Sequence, residues 1–165
     1  MRGLIVMHCQ ESMTDPIELE VFENIKSIIS NFNGHVIGTM NDRKQISDLI
    51  EEGHDVDLMR KENILTLKNW IVNKDIDSIY IVGLHYNVCV RHMLNRCEEV
   101  CNNIGKTWGT NFYAQVIENC TAALTANPDA PLHKDDLNRV LTMPQFRKMP
   151  ECTWYDRKHL TSYSQ

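Results

Sequence analysis

Basic residues, long apolar runs and closely paired cysteines are all scarce in this sequence. Lys and Arg number 17 against 22 Asp and Glu, which gives a formal net charge of -5, whereas nucleic-acid binders carry a basic excess or stripe. No apolar stretch approaches the roughly 18–20 residues that span a bilayer. We therefore expect no nucleic-acid partner and no membrane association.

The cysteine pattern excludes a disulfide scaffold. The chain has no Cys-x-x-Cys pair and no framework of the kind that small secreted domains use. The N-terminal residues also lack the cleavage-site pattern of a secretory signal peptide. We expect reduced thiols and a cytoplasmic location. The six cysteines are Cys9, Cys89, Cys97, Cys101, Cys120 and Cys152.

What the sequence does contain is a regular alternation of short apolar runs and amphipathic stretches. This alternation predicts βαβ units and a parallel sheet. The expected fold is a Rossmann-like three-layer α/β/α domain over residues 1–149, with five or six strands in the order 3-2-1-4-5(-6), followed by a C-terminal tail at 150–165. The predicted strands are 3–7, 35–40, 56–59, 78–83 and 112–117, and the predicted helices are 16–32, 42–52, 61–73, 89–103 and 134–141.

Cys89 is the first candidate for chemistry. It lies where the clearest predicted strand meets the following helix, and ligands of open α/β sheets bind beyond the carboxyl ends of strands. A helix N-terminus favours the thiolate form, and Arg91 in the first turn adds to this effect. The alternative is a small buried hydrophobe. Cys97 and Cys101 fall on the apolar stripe of the helix and are interpreted as core residues.

Residues 83–90, Gly-Leu-His-Tyr-Asn-Val-Cys-Val, resemble the nucleophile segment of the isochorismatase-like cysteine hydrolases, which include nicotinamidases. The resemblance covers roughly residues 3 to 142 and is specific at 79–90. It implies a hydrolase that acts on a small amide or acyl substrate through a thioester on Cys89. It also implies a cis peptide at about 84–85 and a pocket mouth lined by Leu84, His85, Tyr86 and Asn87.

The family's catalytic set is an Asp after the first strand, a Lys after the third strand, and the Cys. His8 stands at the Asp position, where it is either a replacement base or a polar cap on a strand end. Lys61 aligns with the family Lys or is an exposed lysine, and Arg60 and Lys68 remain alternatives. A catalytically degenerate member that keeps the fold for binding or assembly is the alternative to a hydrolase.

No cofactor and no metal are expected. Nicotinamidases hold a metal through an Asp-x-His pair, but this chain has Asp-Arg-Lys at 42–44. The small cluster of His54, Asp55 and Asp57 is interpreted as a solvated loop. The resemblance also implies a homo-oligomer, with the aromatic tail at 150–165 as a contact. Trp108 is interpreted as a pocket wall, a subunit contact or a core anchor.

Overall fold

A computed structural model describes residues 1–7, 16–39, 56–59, 63–84, 89–122 and 140–141 of the chain. The predicted helix at 42–52 and the tail at 150–165 lie outside the described residues, and so does most of the predicted helix at 134–141. Among the described helices, none has both the length and the apolar character needed to cross a bilayer.

Strands and helices alternate along the described chain. The elements are β1 (Arg2–Met7), α1 (Pro16–Asn31), β2 (His35–Thr39), β3 (Val56–Met59), α2 (Ile64–Asn73), β4 (Ser78–Leu84), α3 (Arg91–Asn103), β5 (Tyr113–Ala122) and β6 (Val140–Leu141). Local signals explain several of these boundaries. Pro16 opens α1, where a missing backbone N–H has no cost. Asn63 caps α2, accepting a hydrogen bond from the backbone N–H of Thr66 at 2.9 Å.

The six strands of the described residues form one sheet in the order β3-β2-β1-β4-β5-β6. Every strand pair is parallel. The predicted order of the first five strands is therefore confirmed, and a sixth strand, which the prediction left open, lies beside the fifth. In the central pair, the last residue of β1, Met7, lies opposite Gly83 of β4.

Helices cover both faces of the sheet, which confirms the predicted three-layer arrangement. We call the two sides the α1 face and the α3 face. On the α1 face, helix α1 packs over side chains of β1, β2, β4 and β5, among them Leu4, Val6, Tyr80 and Val82. On the α3 face, α2 and α3 pack together over the alternate residues of the same strands, among them Ile5, Ile79, Ile81 and Val116.

Two predicted elements differ from the structure. The predicted helix at 134–141 is wrong at its end, because Val140 and Leu141 form β6 against Val116 and Ile117. Spacings of three and four from Leu137 are typical of a helix, but two apolar residues also suit a strand, and the open edge of β5 supplies their backbone partners. The strand predicted at 112–117 is β5, which runs on to Ala122.

Candidate active site at the carboxyl edge of the sheet

The carboxyl ends of β1 and β4 meet at the point where the strand order reverses. The connection after β1 runs through α1 on one face to β2, and the connection after β4 runs through α3 on the other face to β5. In open α/β sheets this divergence leaves a crevice in which ligands bind. The sequence placed Cys89 after β4, and the structure puts β4 next to β1 as predicted.

Gly83 holds the two strands close together at this crevice. Its φ is +114°, a backbone conformation that L side chains rarely adopt. A Cβ at this position would overlap the backbone of Met7, including its carbonyl oxygen. The close approach of β1 to β4 therefore depends on glycine.

Cys89 lies in a wide, π-type turn with Val90, immediately before the first α-helical residue of α3, Arg91. The predicted helix began at Cys89, so the α-helix itself starts two residues later. The Cys89 side chain is half-buried and packs against the core of the α3 face. Of the four cysteines that the structure describes, it is the one that is not fully buried.

The start of α3 suits a negative charge. Within the described residues no side chain caps it, and its first turn holds no acidic residue. The helix dipole places partial positive charge at this end of α3, and the helical backbone extends back through Val90 to Cys89. A position of this kind favours the thiolate form of a cysteine.

The other described cysteines are core residues. Cys97 and Cys101 are both fully buried under the sheet, as the apolar stripe predicted, and Cys120 is buried on the α1 face. Burial raises the pKa of the Cys97 thiol well above its ordinary value, against a smaller opposing effect of Arg96. Burial and then Glu98 raise the pKa of Cys101, whose sulfur donates a hydrogen bond to the carbonyl oxygen of Lys106 at 3.4 Å.

Thr121 is a polar residue at this edge that the sequence analysis did not single out. It pairs with Gly83 across β4 and β5. Its side chain is 8% exposed, and its hydroxyl oxygen finds no hydrogen-bond partner in the described part of the chain. A buried hydroxyl is normally hydrogen-bonded, so this exception requires an explanation.

A register shift brings Thr121 to this position. From Ile81 to Gly83 strand β4 advances by two residues, whereas its partner β5 advances by five, from Val116 to Thr121. Bulges of this kind re-aim side chains and are frequent beside functional sites. The sequence gives no signal for this register shift. The residue pattern at 116–121 is equally compatible with a strand that contains a bulge and with a strand that ends.

The structure places one of the four predicted pocket residues. Leu84 ends β4, and its side chain is 2% exposed within the core of the α1 face, whereas Cys89 packs against the core of the α3 face. His85, Tyr86 and Asn87 lie outside the described residues, as do the predicted cis peptide, His8 and Lys61. These roles stay predictions.

The strand order nevertheless supports the two predicted partners of Cys89, His8 and Lys61, to different degrees. His8 directly follows Met7, the residue opposite Gly83. Lys61 comes two residues after β3, which lies three strand spacings from β4, or roughly 14 Å. Immediately before His8 the chain therefore lies beside β4, the strand that leads to Cys89. Immediately before Lys61 it lies three strands away from β4.

Trp108 lies near the amino ends of the strands, at the end of the sheet opposite to the carboxyl ends of β1 and β4. It precedes β5, whose first residue pairs with Ser78 at the start of β4. Its half-buried ring packs against the core of the α3 face and lies 6.2 Å from the ring of Phe112. Of the three interpretations, this packing supports the core anchor, and the pocket wall and the subunit contact stay predictions.

The described residues include no group of three His, Cys, Asp or Glu side chains that could hold a metal ion. The segment at 42–44 and the side chains of His54, Asp55 and Asp57 lie outside the part of the chain that the structure describes. A scan against profiles of known protein families and a search of curated proteins found no match to this chain.

Proposed function

We propose that this chain is an isochorismatase-like cysteine hydrolase that acts on a small amide or acyl substrate. The observation that carries the proposal is the position of Cys89, half-buried just before the first α-helical residue of α3 and beside the crevice between β1 and β4. Thr121 adds a buried polar group at the same edge. The resemblance of residues 83–90 to the family's nucleophile segment supplies the reaction class.

The reaction begins with attack of the Cys89 thiolate on the acyl carbon of the substrate. A C–S bond forms, and the carbonyl electron pair moves to the oxygen, which becomes an oxyanion. The proposal assigns stabilisation of this charge to the helix dipole at the start of α3 and to backbone N–H groups there. The oxyanion then collapses, the C–N or C–O bond to the leaving group breaks, and the leaving group departs with a proton.

Water completes the cycle. It attacks the thioester carbon, the C–S bond breaks, and the products are a carboxylic acid and the regenerated thiol. The net change is the addition of one water to the amide or ester bond. The proposal assigns the proton transfers to His8, which follows the end of β1 in the chain, and assigns charge stabilisation to Lys61.

Two measurements test the proposal. The first is the rate of Cys89 alkylation by iodoacetamide against pH, resolved by peptide mass spectrometry. The proposal predicts a half-maximal rate well below about pH 8.5, the value of an ordinary thiol. The second is hydrolysis of p-nitrophenyl acetate, for which the proposal predicts a burst of nitrophenol, an acetyl group on Cys89, and its release by water.

Cys89→Ala should abolish the burst and the acetyl adduct. Cys97→Ala is the matched control, because it removes a fully buried thiol from the same helix region and should leave both unchanged. A thiol that titrates normally and carries no transient acetyl group would overturn the hydrolase proposal. The degenerate binding protein would then be the better interpretation, in line with the loss of the family Asp at position 8.

A further inference from the structure

We infer that the hydroxyl of Thr121 is a ligand-binding group that donates a hydrogen bond to the carbonyl oxygen of a small carboxamide or acyl ligand beside Cys89. The inference deepens the proposed function and rests on it for the class of ligand. Its basis is the juxtaposition of a buried hydroxyl without a partner and a half-buried cysteine at the same edge of the sheet.

The direction of the Thr121 side chain follows from the alternation of residues along a strand. Cys120 packs in the core of the α1 face. The next residue of an extended strand points to the opposite side, which here is the α3 face. Helix α3 packs on that face and begins just after Cys89, so Thr121 and Cys89 belong to the same side of the sheet.

The pairing of Thr121 brings it to the crevice. It lies opposite Gly83, and Gly83 in turn lies opposite Met7, so the three residues form one row across β5, β4 and β1. Gly83 carries no side chain, and none fits there. The hydroxyl of Thr121 is therefore the polar side-chain group that this row presents.

An unpaired buried hydroxyl is costly in the free protein, and a ligand oxygen removes that cost. Hydration of the hydroxyl is lost on folding without a compensating bond. A ligand oxygen that accepts a hydrogen bond from this hydroxyl gains the full contact, and an analogue without that oxygen leaves the hydroxyl unpaired. Such sites discriminate strongly between ligands that have the hydrogen-bonding atom and ligands that lack it.

The test compares two reagents for Cys89. Iodoacetamide carries a carboxamide oxygen, and allyl bromide alkylates thiols without one. Thr121→Val replaces the hydroxyl by a methyl group of similar size. It should lower the iodoacetamide rate about tenfold relative to the allyl bromide rate, as expected for one hydrogen bond. Thr121→Ser keeps the hydroxyl and should keep the wild-type ratio.

Tyr113→Phe is the matched control, because it removes a hydroxyl from the amino end of the same strand. That hydroxyl donates to the carbonyl oxygen of Thr110 at 3.0 Å, so its loss should leave the reagent ratio unchanged. Urea unfolding gives a second readout. Thr121→Val should unfold at the same or a higher urea concentration than wild type, whereas loss of a structural hydrogen bond would lower it.

Failures of the two proposals are distinguishable. Equal changes with both reagents, or none, together with normal acetyl turnover, overturn the role of Thr121 and leave the hydrolase standing. A selective loss in Thr121→Val without any acetyl turnover supports the ligand contact and removes the hydrolase. If Cys89 reacts with neither reagent, benzamide binding followed by NMR decides. Benzamide affinity that is absent, or unchanged by Thr121→Val, overturns the inference.

Discussion

Met7 and Gly83 face each other across β1 and β4, and the backbone of Met7 occupies the space that a side chain on Gly83 would need. This contact joins the two strand ends from which the connections diverge to opposite faces of the sheet. Backbone atoms of Met7 and Gly83 therefore determine how closely β1 and β4 approach each other at the crevice beside Cys89. The geometry of the candidate site therefore depends on a residue that has no chemistry of its own.

Gly83→Ala should be severely destabilising. A Cβ there meets the Met7 backbone, and φ is +114°, so we expect a loss of about 3 kcal/mol or more in the free energy of unfolding, measured in urea. Gly105→Ala is the matched control. Gly105 also has a positive φ, +72°, but a Cβ there meets no atom within 4 Å, so the conformational cost alone, about 1 kcal/mol, should appear. Equal losses would contradict the steric account.

The buried thiols should make the protein less stable in alkali. Burial raises the pKa of Cys97 and Cys101 above the ordinary value of 9.0, so the folded protein keeps protons that the unfolded chain releases. Their stabilisation is complete below about pH 9 and is lost as pH rises from there. The free energy of unfolding should fall by up to ~1.4 kcal/mol per pH unit for the Cys97 thiol, and Cys101 adds to the fall in the same direction.

The control for this pH dependence is Cys97→Ala. The substitution leaves a small cavity that lowers stability at every pH, but it removes one titrating thiol. The slope of unfolding free energy between pH 9 and pH 10.5 should therefore be shallower than in wild type. Identical slopes in the two proteins would show that the Cys97 thiol is not responsible.

His8 decides whether the departure from the family pattern is a replacement or a loss. If His8 acts as base for Cys89, His8→Ala should slow alkylation at pH 7 about tenfold and shift its half-maximal rate toward higher pH. His8→Asp restores the family residue and should keep or improve turnover of simple amides. His35→Ala is the control, since His35 opens β2 at the opposite edge of the sheet. Unchanged alkylation in His8→Ala would leave His8 as a strand-end polar group.

Gly3 and Trp70 should be energetically coupled. A Cβ on Gly3 would lie 2.5 Å from the Trp70 ring, whose buried N–H has no partner in the described part of the chain. Gly3→Ala alone should therefore cost about 1–3 kcal/mol. Trp70→Phe provides room and removes the unpaired N–H, so the double variant should lose less than the sum of the single losses. Additive losses in a double-mutant cycle by urea unfolding would refute the contact.

Much of the fold could be predicted from the sequence, because hydrophobic periodicity and helix caps depend on residues that are close together in the chain. The run of residues 3–7 is apolar throughout, as strands buried on both faces are, and Pro16 marks the start of α1. The stripe that includes Cys97 and Cys101 correctly predicted which face of α3 is buried. The same reasoning failed at 140–141, where an edge of β5 rather than a local preference selects a strand.

The candidate site, too, was determined partly by the sequence and partly by the tertiary structure. The sequence by itself determined that Cys89 lies at the junction of a buried strand and a helix, because both elements are encoded locally. Only the tertiary structure decided that Thr121 stands opposite Gly83, since a register shift of β5 against β4 sets that pairing. The tertiary structure alone also decided that the backbone of Met7 excludes a side chain at Gly83. Both relationships join residues that are distant in sequence, and they arise from how the strands pack rather than from any preference of the residues themselves.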